Sequence, residues 1–185
     1  MAKLLDQVLV VDVESTCWRG RPPEGQVSDI IEVGVCVLEL ASLKRSERHS
    51  IMVKPTRSEI SEFCTELTSI TADDVRDAGT FEDACWQLRR QFRGRQRTWA
   101  SFGDYDRRQF ERCCAAFDVS YPFGPTHFNI KNALAICLGL DAEPSLTEAC
   151  ELMGVTFQGT HHRGGDDAWN AAGVLARLLR RGFRD

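Results

Sequence analysis

The chain has 185 residues, of which 43% are hydrophobic and 27% are charged, and its net charge is −4 at pH 7. This length suits one well-buried core, so we expect residues 1–185 to form a single domain. The composition excludes disordered chains, and no apolar run approaches the roughly 18 residues of a membrane span.

The cysteines argue for a reducing environment. Eight of them are spread along the chain without a Cys-x-x-Cys pair, which disfavours a structural zinc site. No secretory signal is recognisable at the N-terminus. Free thiols are then the simplest state for these residues, and the pattern predicts a cytoplasmic protein.

The first third of the chain predicts three strands. Val8–Val13 is a continuous apolar run rich in β-branched residues, which is typical of a central strand covered on both faces. Ile30–Leu40 and His49–Val53 follow, close enough to form an antiparallel meander. Between Ser58 and Arg93 we expect two helices, with Thr71 and Thr80 as N-cap residues.

The remainder alternates between strands and helices. The pattern predicts strands at Thr98–Phe102 and near Thr126, and helices at Asp106–Phe117, Ile130–Leu138, Ser145–Met153 and Asp166–Arg181. Together these elements predict an α/β fold, in which a mixed sheet of a three-strand antiparallel meander and two further strands is flanked by helices.

Two carboxylates lie at the end of the first strand. Asp12 and Glu14 are two residues apart, so both side chains would emerge on one face of a buried strand and would require a cation. Alternatively, Glu14 already belongs to the following loop and is solvated, while Asp12 caps a turn.

Two further pairs of aspartates stand at predicted helix starts. Asp106 heads the apolar row of its helix, whereas Asp104 leads toward a polar row and is expected to cap the helix. In the same way Asp167 heads the inward row of the last helix, and Asp166 is expected to cap that helix and favour its dipole. The glycines after His161 and His162 would let the loop carry one histidine over the site.

Acidic residues thus arrive from three separate parts of the chain, with a histidine beside the last. Oxygen ligands of this kind suit two Mg²⁺ or Mn²⁺ ions better than zinc. Two such ions are the usual device for hydrolysing a phosphodiester bond.

These residues resemble a known enzyme family. Asp12, Glu14, Asp106, His162 and Asp167 resemble the DEDDh branch of the DnaQ-like 3′-to-5′ exonucleases. The segments DVESTC from Asp12, FCTELTSIT from Phe63, FNIK from Phe128 and His161–Asn170 are similar to the Eri-type histone-mRNA exonuclease and KapD-like subgroup.

The resemblance implies a ribonuclease H-like fold and a two-metal mechanism. Asp12, Glu14, Asp106 and Asp167 would hold the metal ions, and His162 would act as general base in releasing nucleoside 5′-monophosphates. The family spacing selects His162, because it precedes the inward Asp167, whereas His161 pairs with Asp166 and would face the wrong row. Val13 and Phe102 replace residues common in the family, which bears on substrate fit and not on metal ligation.

The expected substrate is single-stranded nucleic acid, with RNA favoured and DNA possible, because the residues that would contact a 2′-hydroxyl are not identifiable. Ser15, Thr16, Cys17 and Trp18 would line the pocket for the terminal nucleotide, although Trp18 could equally pack under the loop. The arginines between Arg89 and Arg97 would either track phosphates or form a solvated face. No coiled-coil seam indicates an oligomeric state.

Two other functions compete with this interpretation. The segments VLVVDVEST and GGDDAWNAA also resemble haloacid-dehalogenase-type phosphatases, in which Asp12 would be a covalent nucleophile. That reading requires an aspartate where Glu14 stands and gives the histidine no role. A non-catalytic binding domain is disfavoured because all five catalytic residue types are present.

Overall fold

The computed structural model describes the backbone of residues 4–183 and the side chains of residues 4–182. Its centre is a five-stranded sheet with the strand order β3-β2-β1-β4-β5. The strands are β1 Leu4–Ser15, β2 Ile30–Glu39, β3 Lys44–Met52, β4 Arg97–Ser101 and β5 His127–Asn129. The first three strands pair antiparallel, whereas β4 runs parallel to β1 and β5 parallel to β4. The predicted mixed sheet is confirmed.

Seven helices flank this sheet among residues 4–183. They are α1 Glu62–Thr68, α2 Ala72–Val75, α3 Phe81–Arg90, α4 Tyr105–Phe117, α5 Ile130–Leu138, α6 Leu146–Met153 and α7 Gly164–Phe183. None of them combines the length and apolar character that crossing a bilayer requires.

The prediction of two helices between Ser58 and Arg93 is wrong, because this segment contains three. Ser69 ends α1 in a left-handed conformation, with φ at 61°, and the chain then restarts a helix at each predicted cap. Thr71 begins α2 and Thr80 begins α3, both through reciprocal capping boxes with the aspartate three residues later.

The edge strand β3 begins five residues earlier than predicted. Residues Lys44 to Arg48 are charged or polar and largely exposed, so they lack the apolar alternation by which a strand is recognised. Pairing with β2 nonetheless holds them in the sheet, and charged side chains are typical of an edge that must not pair further.

Alternation along β1 assigns its residues to two cores. Leu9, Val11 and Val13 face one cluster, which includes residues of α3 and α4. Val8 and Val10 face the other, which includes residues of α5, α6 and α7. Because side chains two apart share a face, Asp12 and Glu14 continue the second row toward the start of α7.

Two glycines bring α7 against the sheet. Gly34 of β2 pairs with Asp12 of β1, and a Cβ atom placed on Gly34 would lie 1.9 Å from the backbone of Gly164. A Cβ on Gly164 would lie 3.0 Å from the backbone nitrogen of Gly34 and 3.2 Å from the carbonyl oxygen of Asp12. The absence of side chains at both positions therefore lets the first turn of α7 approach the end of β1.

We predict that Gly34→Ala destabilises the protein by about 3 kcal/mol or more, because the clash is with backbone that cannot rotate away. Urea unfolding at neutral pH measures the change. Gly182→Ala is the matched control, since nothing lies within 4 Å of that position and its effect should stay within about 1 kcal/mol. A wild-type unfolding midpoint for Gly34→Ala would contradict the close packing described above.

Candidate active site

A cavity of about 330 Å³ opens where β1 and β4 end and where α4 and α7 begin. Parallel neighbours such as β1 and β4 end at the same edge of the sheet, which is where α/β folds build their sites. The cavity is lined by Asp12, Val13, Glu14, Ser15, Cys17, Leu67, Phe102, Tyr105, Asp106, Leu146, His161, His162 and Asp167. The predicted acidic residues and both histidines therefore converge.

Oxygen atoms of Asp12, Glu14 and Asp167 all lie within 4.8 Å of one another. Glu14 belongs to β1 and not to the following loop, and its side chain is buried on the cavity face of the strand. The alternative of a solvated Glu14 is thereby excluded. Three carboxylates at this separation repel one another strongly unless protons or cations intervene.

The electrostatics of the site follow from burial and, after it, from this crowding. Burial, reinforced by the neighbouring carboxylates, raises the pKa of Glu14 to about 8. Burial likewise raises the pKa of Asp106 to about 6 and raises the pKa of Asp12 well above its ordinary value. Carboxyl groups held in this way are poised to exchange their protons for a divalent cation, and their oxygen atoms are the ligands that such hard cations prefer.

Asp106 and Asp104 occupy different environments, as their helical rows predict. Asp106 is buried and accepts a hydrogen bond of 2.9 Å from the backbone N–H of Val13, which fixes it beside β1. Asp104 stands at the N-cap position of α4, but its side chain makes no capping hydrogen bond. It lies instead 3.3 Å from Arg107 and 3.9 Å from His127.

Asp167 and Asp166 also differ, although the predicted cap is wrong. Asp167 is buried in the cavity wall. The helix α7 begins at Gly164, so Asp166 lies within its first turn and does not cap it. The Asp166 carboxylate accepts a hydrogen bond from the backbone N–H of Thr160 at 2.6 Å and pairs with Arg48. It therefore ties the preceding loop to β3.

Both histidines face the cavity. The expectation that His161 turns away is wrong, since its Nδ1 lies 3.0 Å from Asp167 and its ring packs edge-on against Phe157. His162 has a left-handed backbone, with φ at 63°, and its N–H donates to Asp167 at 3.0 Å. Its ring stacks on that of His161, and burial lowers the pKa of His162, which favours a neutral imidazole at pH 7.

The loop after Glu14 contributes less to the cavity than expected. Ser15 and Cys17 line it, but Thr16 and Trp18 do not. The hydroxyl of Thr16 is buried and accepts a hydrogen bond of 2.9 Å from the backbone N–H of Asp29. This bond ties the loop after β1 to the residue just before β2. Sequence reasoning missed Leu67, Tyr105 and Leu146, which are all apolar or aromatic, and it named Phe102 only for substrate fit.

A fifth acidic residue, Glu32, lies next to the carboxylate cluster on the neighbouring strand. It is 1% exposed, and its backbone lies opposite that of Glu14 in the register between β2 and β1. Its carboxylate accepts hydrogen bonds from the backbone N–H of Gly164 at 3.1 Å, from Nε of Arg163 at 3.2 Å and from the hydroxyl of Ser50. Glu32 thus anchors the start of α7. A charged residue inside the apolar run IIEVGV was the signal that could have identified it.

The arginines between Arg89 and Arg97 lie away from this cavity. Arg97 begins β4 and its guanidinium pairs with Asp6 at 2.9 Å, near the start of β1. Asp12 and Glu14 stand at the opposite end of that strand. Arg89 and Arg95 donate to the backbone carbonyls of Ser120 and Tyr121. The described contacts therefore favour a structural role for these three arginines.

A mixed sheet of this order, with clustered carboxylates and adjacent histidines at the strand ends, defines a ribonuclease H-like nuclease fold. A family model described as an exonuclease, RNase_T, matches residues 9–175. The chain belongs to this exonuclease family. Exonucleases of the family typically use divalent metal ions.

Named relatives agree with that assignment. The chain is 29% identical over 187 residues to human 3′-5′ exoribonuclease 1, a match that covers 96% of this chain and 53% of the human protein. It is 24% identical over 168 residues to the probable 3′-5′ exonuclease KapD of Bacillus subtilis, covering 90% of this chain and 81% of KapD. The chain thus spans about half the length of the human relative.

Solved structures give the same result. The nuclease domain of 3′hExo, a DEDDh family member bound to rAMP, superimposes with a TM-score of 0.86 at 28% identity. The match covers 98% of this chain and 96% of that domain. The comparisons confirm the predicted family and give no support to the haloacid-dehalogenase alternative.

We predict that without divalent cations the free energy of unfolding falls as the pH rises from about 5 to about 8. The folded protein binds more protons than the unfolded chain in this range, because the pKa of Glu14 is raised to about 8. The stabilisation from protonated Glu14 is therefore fully present below the pKa that its carboxyl has in the unfolded chain. It is lost as the pH rises through the pKa that the carboxyl has in the folded protein. The loss from Glu14 alone is roughly 3 to 5 kcal/mol.

Urea unfolding in EDTA across this range measures the slope. Glu14→Gln should flatten the profile, and excess MgCl₂ should restore stability at the alkaline end by replacing the lost protons. A profile that rises with pH in EDTA would contradict the described crowding of carboxylates.

Proposed function

We propose that residues 1–185 act as a metal-dependent 3′-5′ exonuclease that hydrolyses single-stranded nucleic acid, with RNA favoured, and releases nucleoside 5′-monophosphates. The observation that carries the proposal is the convergence of Asp12, Glu14, Asp106 and Asp167 on one cavity beside two histidines. The preference for RNA is supported by the relatives, since the human protein is named an exoribonuclease and the 3′hExo domain is bound to rAMP.

The four carboxylates fit a pair of Mg²⁺ or Mn²⁺ ions. They offer oxygen atoms alone, and three of the groups lie within 4.8 Å of one another. Burial, with a further contribution from neighbouring carboxylates, raises the pKa values of Asp12, Glu14 and Asp106. Asp12, Glu14, Asp106 and Asp167 would hold the ions. When bound, the ions would offset the charge of the phosphate and stabilise the attacking and leaving oxygen atoms.

The remaining residues would direct the proton transfer. His162 is the proposed general base: among the described residues neither of its ring nitrogens has a hydrogen-bond partner, whereas Nδ1 of His161 is engaged by Asp167. A neutral His162 takes a proton from water, whose oxygen bonds to phosphorus as the bond to the 3′-oxygen of the preceding nucleotide breaks. That oxygen takes a proton from solvent, and the phosphate remains bonded to the 5′-oxygen of the released nucleotide.

The terminal nucleotide would be held by the cavity walls. Ser15 and Cys17 are the members of the predicted pocket whose positions support this role, and Thr16 would act by fixing their loop. Tyr105 and Phe102 line the same cavity, and their rings are suited to stack on a base. They take the role that sequence analysis gave to Trp18.

We also propose a cytoplasmic location. All eight cysteines are free thiols, six of them buried, and such a set persists in reducing compartments. Non-reducing mass spectrometry of protein from its native host would reveal disulfides if this proposal were wrong.

The reaction is tested by a time course on matched single-stranded RNA, single-stranded DNA and duplexes carrying a 5′ label, in MgCl₂ and in EDTA. We expect stepwise shortening from the 3′ end and nucleoside 5′-monophosphates by mass spectrometry, only with the metal. Internal cleavage, 3′-monophosphate products or equal activity in EDTA would contradict the proposal.

We predict that Asp12→Asn abolishes metal-dependent degradation, because it removes a central negative ligand from the cavity. Asp104→Asn is the matched control, since Asp104 is not among the residues that line the cavity, and it should retain most of the activity. Turnover of a labelled oligonucleotide at saturating Mg²⁺ compares the two variants. Equal losses would show that lining the cavity does not distinguish a metal-holding carboxylate from one outside it.

We predict that His162→Ala lowers turnover by about 10²- to 10⁴-fold while leaving metal affinity nearly unchanged. His161→Ala should lose less, because that ring would orient Asp167 and would not accept the proton. Turnover and Mn²⁺ calorimetry on both variants decide between the histidines. A larger loss of turnover in His161→Ala than in His162→Ala would identify His161 as the general base.

A further inference from the structure

A second cavity, of about 320 Å³, lies on the other half of α7 from the active site. One wall is a single face of α7, formed by Gly173, Ala176, Arg177 and Arg180, which recur at helical spacing. The opposite walls come from the start of β3, with Arg45, and from the segment Gly154–Gln158 that follows α6. This volume is near the lower end of the range for small-ligand pockets, about 300 to 1,000 Å³.

Three arginines line this cavity, and none of its lining residues is acidic. Within the described part of the chain, the side chains of Arg177 and Arg180 make no ion pair. Favourable interaction with the end of the helix dipole accounts for Arg180 in the last turn of α7. It does not account for Arg177, which precedes the last turn of α7, or for Arg45, which belongs to β3.

Arg45 is held in place rather than extended into solvent. Its guanidinium stacks over the ring of Trp169 at 4.2 Å and donates to the Trp169 carbonyl at 3.0 Å. It also lies over Gly173, where a Cβ atom would be 3.1 Å from its Nη1. Burial lowers the pKa of Arg45, so an anion in the cavity would offset the cost of keeping its charge. The planar guanidinium matches the geometry of a phosphate group.

The position of the cavity relates it to the active site. Asp167 lies in the first turn of α7 and Arg177 ten residues later, which places them about 15 Å apart along the helix. A stacked strand advances about 3.4 Å per nucleotide, so this distance corresponds to roughly four or five nucleotides. A strand of that length whose 3′ end occupies the active site covers the axial distance from Asp167 to the cavity.

We propose that Arg45, Arg177 and Arg180 bind a backbone phosphate of the nucleic acid, several nucleotides upstream of the 3′ end. The inference rests on the proposed function, because it takes the ligand to be the strand being degraded. The site contributes affinity for longer strands and plays no part in the chemistry.

The test compares wild-type protein with Arg177→Ala/Arg180→Ala in EDTA, where no metal is needed for this contact. Fluorescence anisotropy with a labelled strand of about 12 nucleotides is measured at several salt concentrations. We expect about five- to tenfold weaker binding and a salt-dependence slope smaller by about 1. Arg90→Ala/Arg93→Ala removes the same charge from two exposed arginines near the end of α3 and should bind as wild type does.

Turnover in MgCl₂ supplies the second readout. The Arg177→Ala/Arg180→Ala variant should raise KM for the long strand without changing kcat, and it should leave kcat/KM for a dinucleotide unchanged, since a dinucleotide cannot span the two cavities. Equal losses on both substrates, or equal losses in the control variant, would overturn the proposal. So would arginine-dependent calorimetric binding of inorganic phosphate without any effect of strand length.

These outcomes separate the two proposals. If the wild-type protein binds the strand through these arginines but does not degrade it, the exonuclease assignment fails and the phosphate site stands. If it degrades the strand and the double variant binds as wild type does, the phosphate site fails and the exonuclease assignment stands.

Discussion

Burial and mutual repulsion of the carboxylates together govern the chemistry of the site. Asp12, Glu14 and Asp167 hold their oxygen atoms within 4.8 Å of one another, in a setting where burial itself raises the pKa of Glu14 to about 8. Such an arrangement is unfavourable for folding. It persists because hydrophobic burial on both faces of the sheet stabilises the strand that carries it, and because cations can neutralise the cluster.

Contacts with the backbone hold the groups of the site in place despite this repulsion. Asp106 is tied to β1 by the N–H of Val13, and Asp167 accepts the N–H of His162. The contact between Gly34 and Gly164 allows α7 to approach, and Glu32 then holds its first residue. These contacts fix the carboxylates and the start of α7 relative to one another, and fixed charges of this kind are the condition for electrostatic stabilisation of a transition state.

The sequence predicted the parts of this design that are written in local patterns. The strand β1, the caps Thr71 and Thr80, and the inward rows headed by Asp106 and Asp167 follow from periodicity and capping chemistry. What it could not predict depends on contacts between distant segments. The charged strand β3 is defined by pairing with β2. Asp166 does not cap α7 as expected and instead contacts Arg48 and Thr160. The orientation of His161 depends on its approach to Asp167 and on packing against Phe157.

A crystal structure of the protein with Mn²⁺ and a nucleoside 5′-monophosphate would show whether the clustered carboxylates hold cations, because anomalous scattering locates the ions without reference to activity. We expect two anomalous peaks in the cavity bounded by Asp12, Glu14, Asp106 and Asp167, with the phosphate of the nucleotide beside them and the ring of His162 facing it. Peaks confined to other acidic surfaces, with this cavity holding only water, would contradict this expectation.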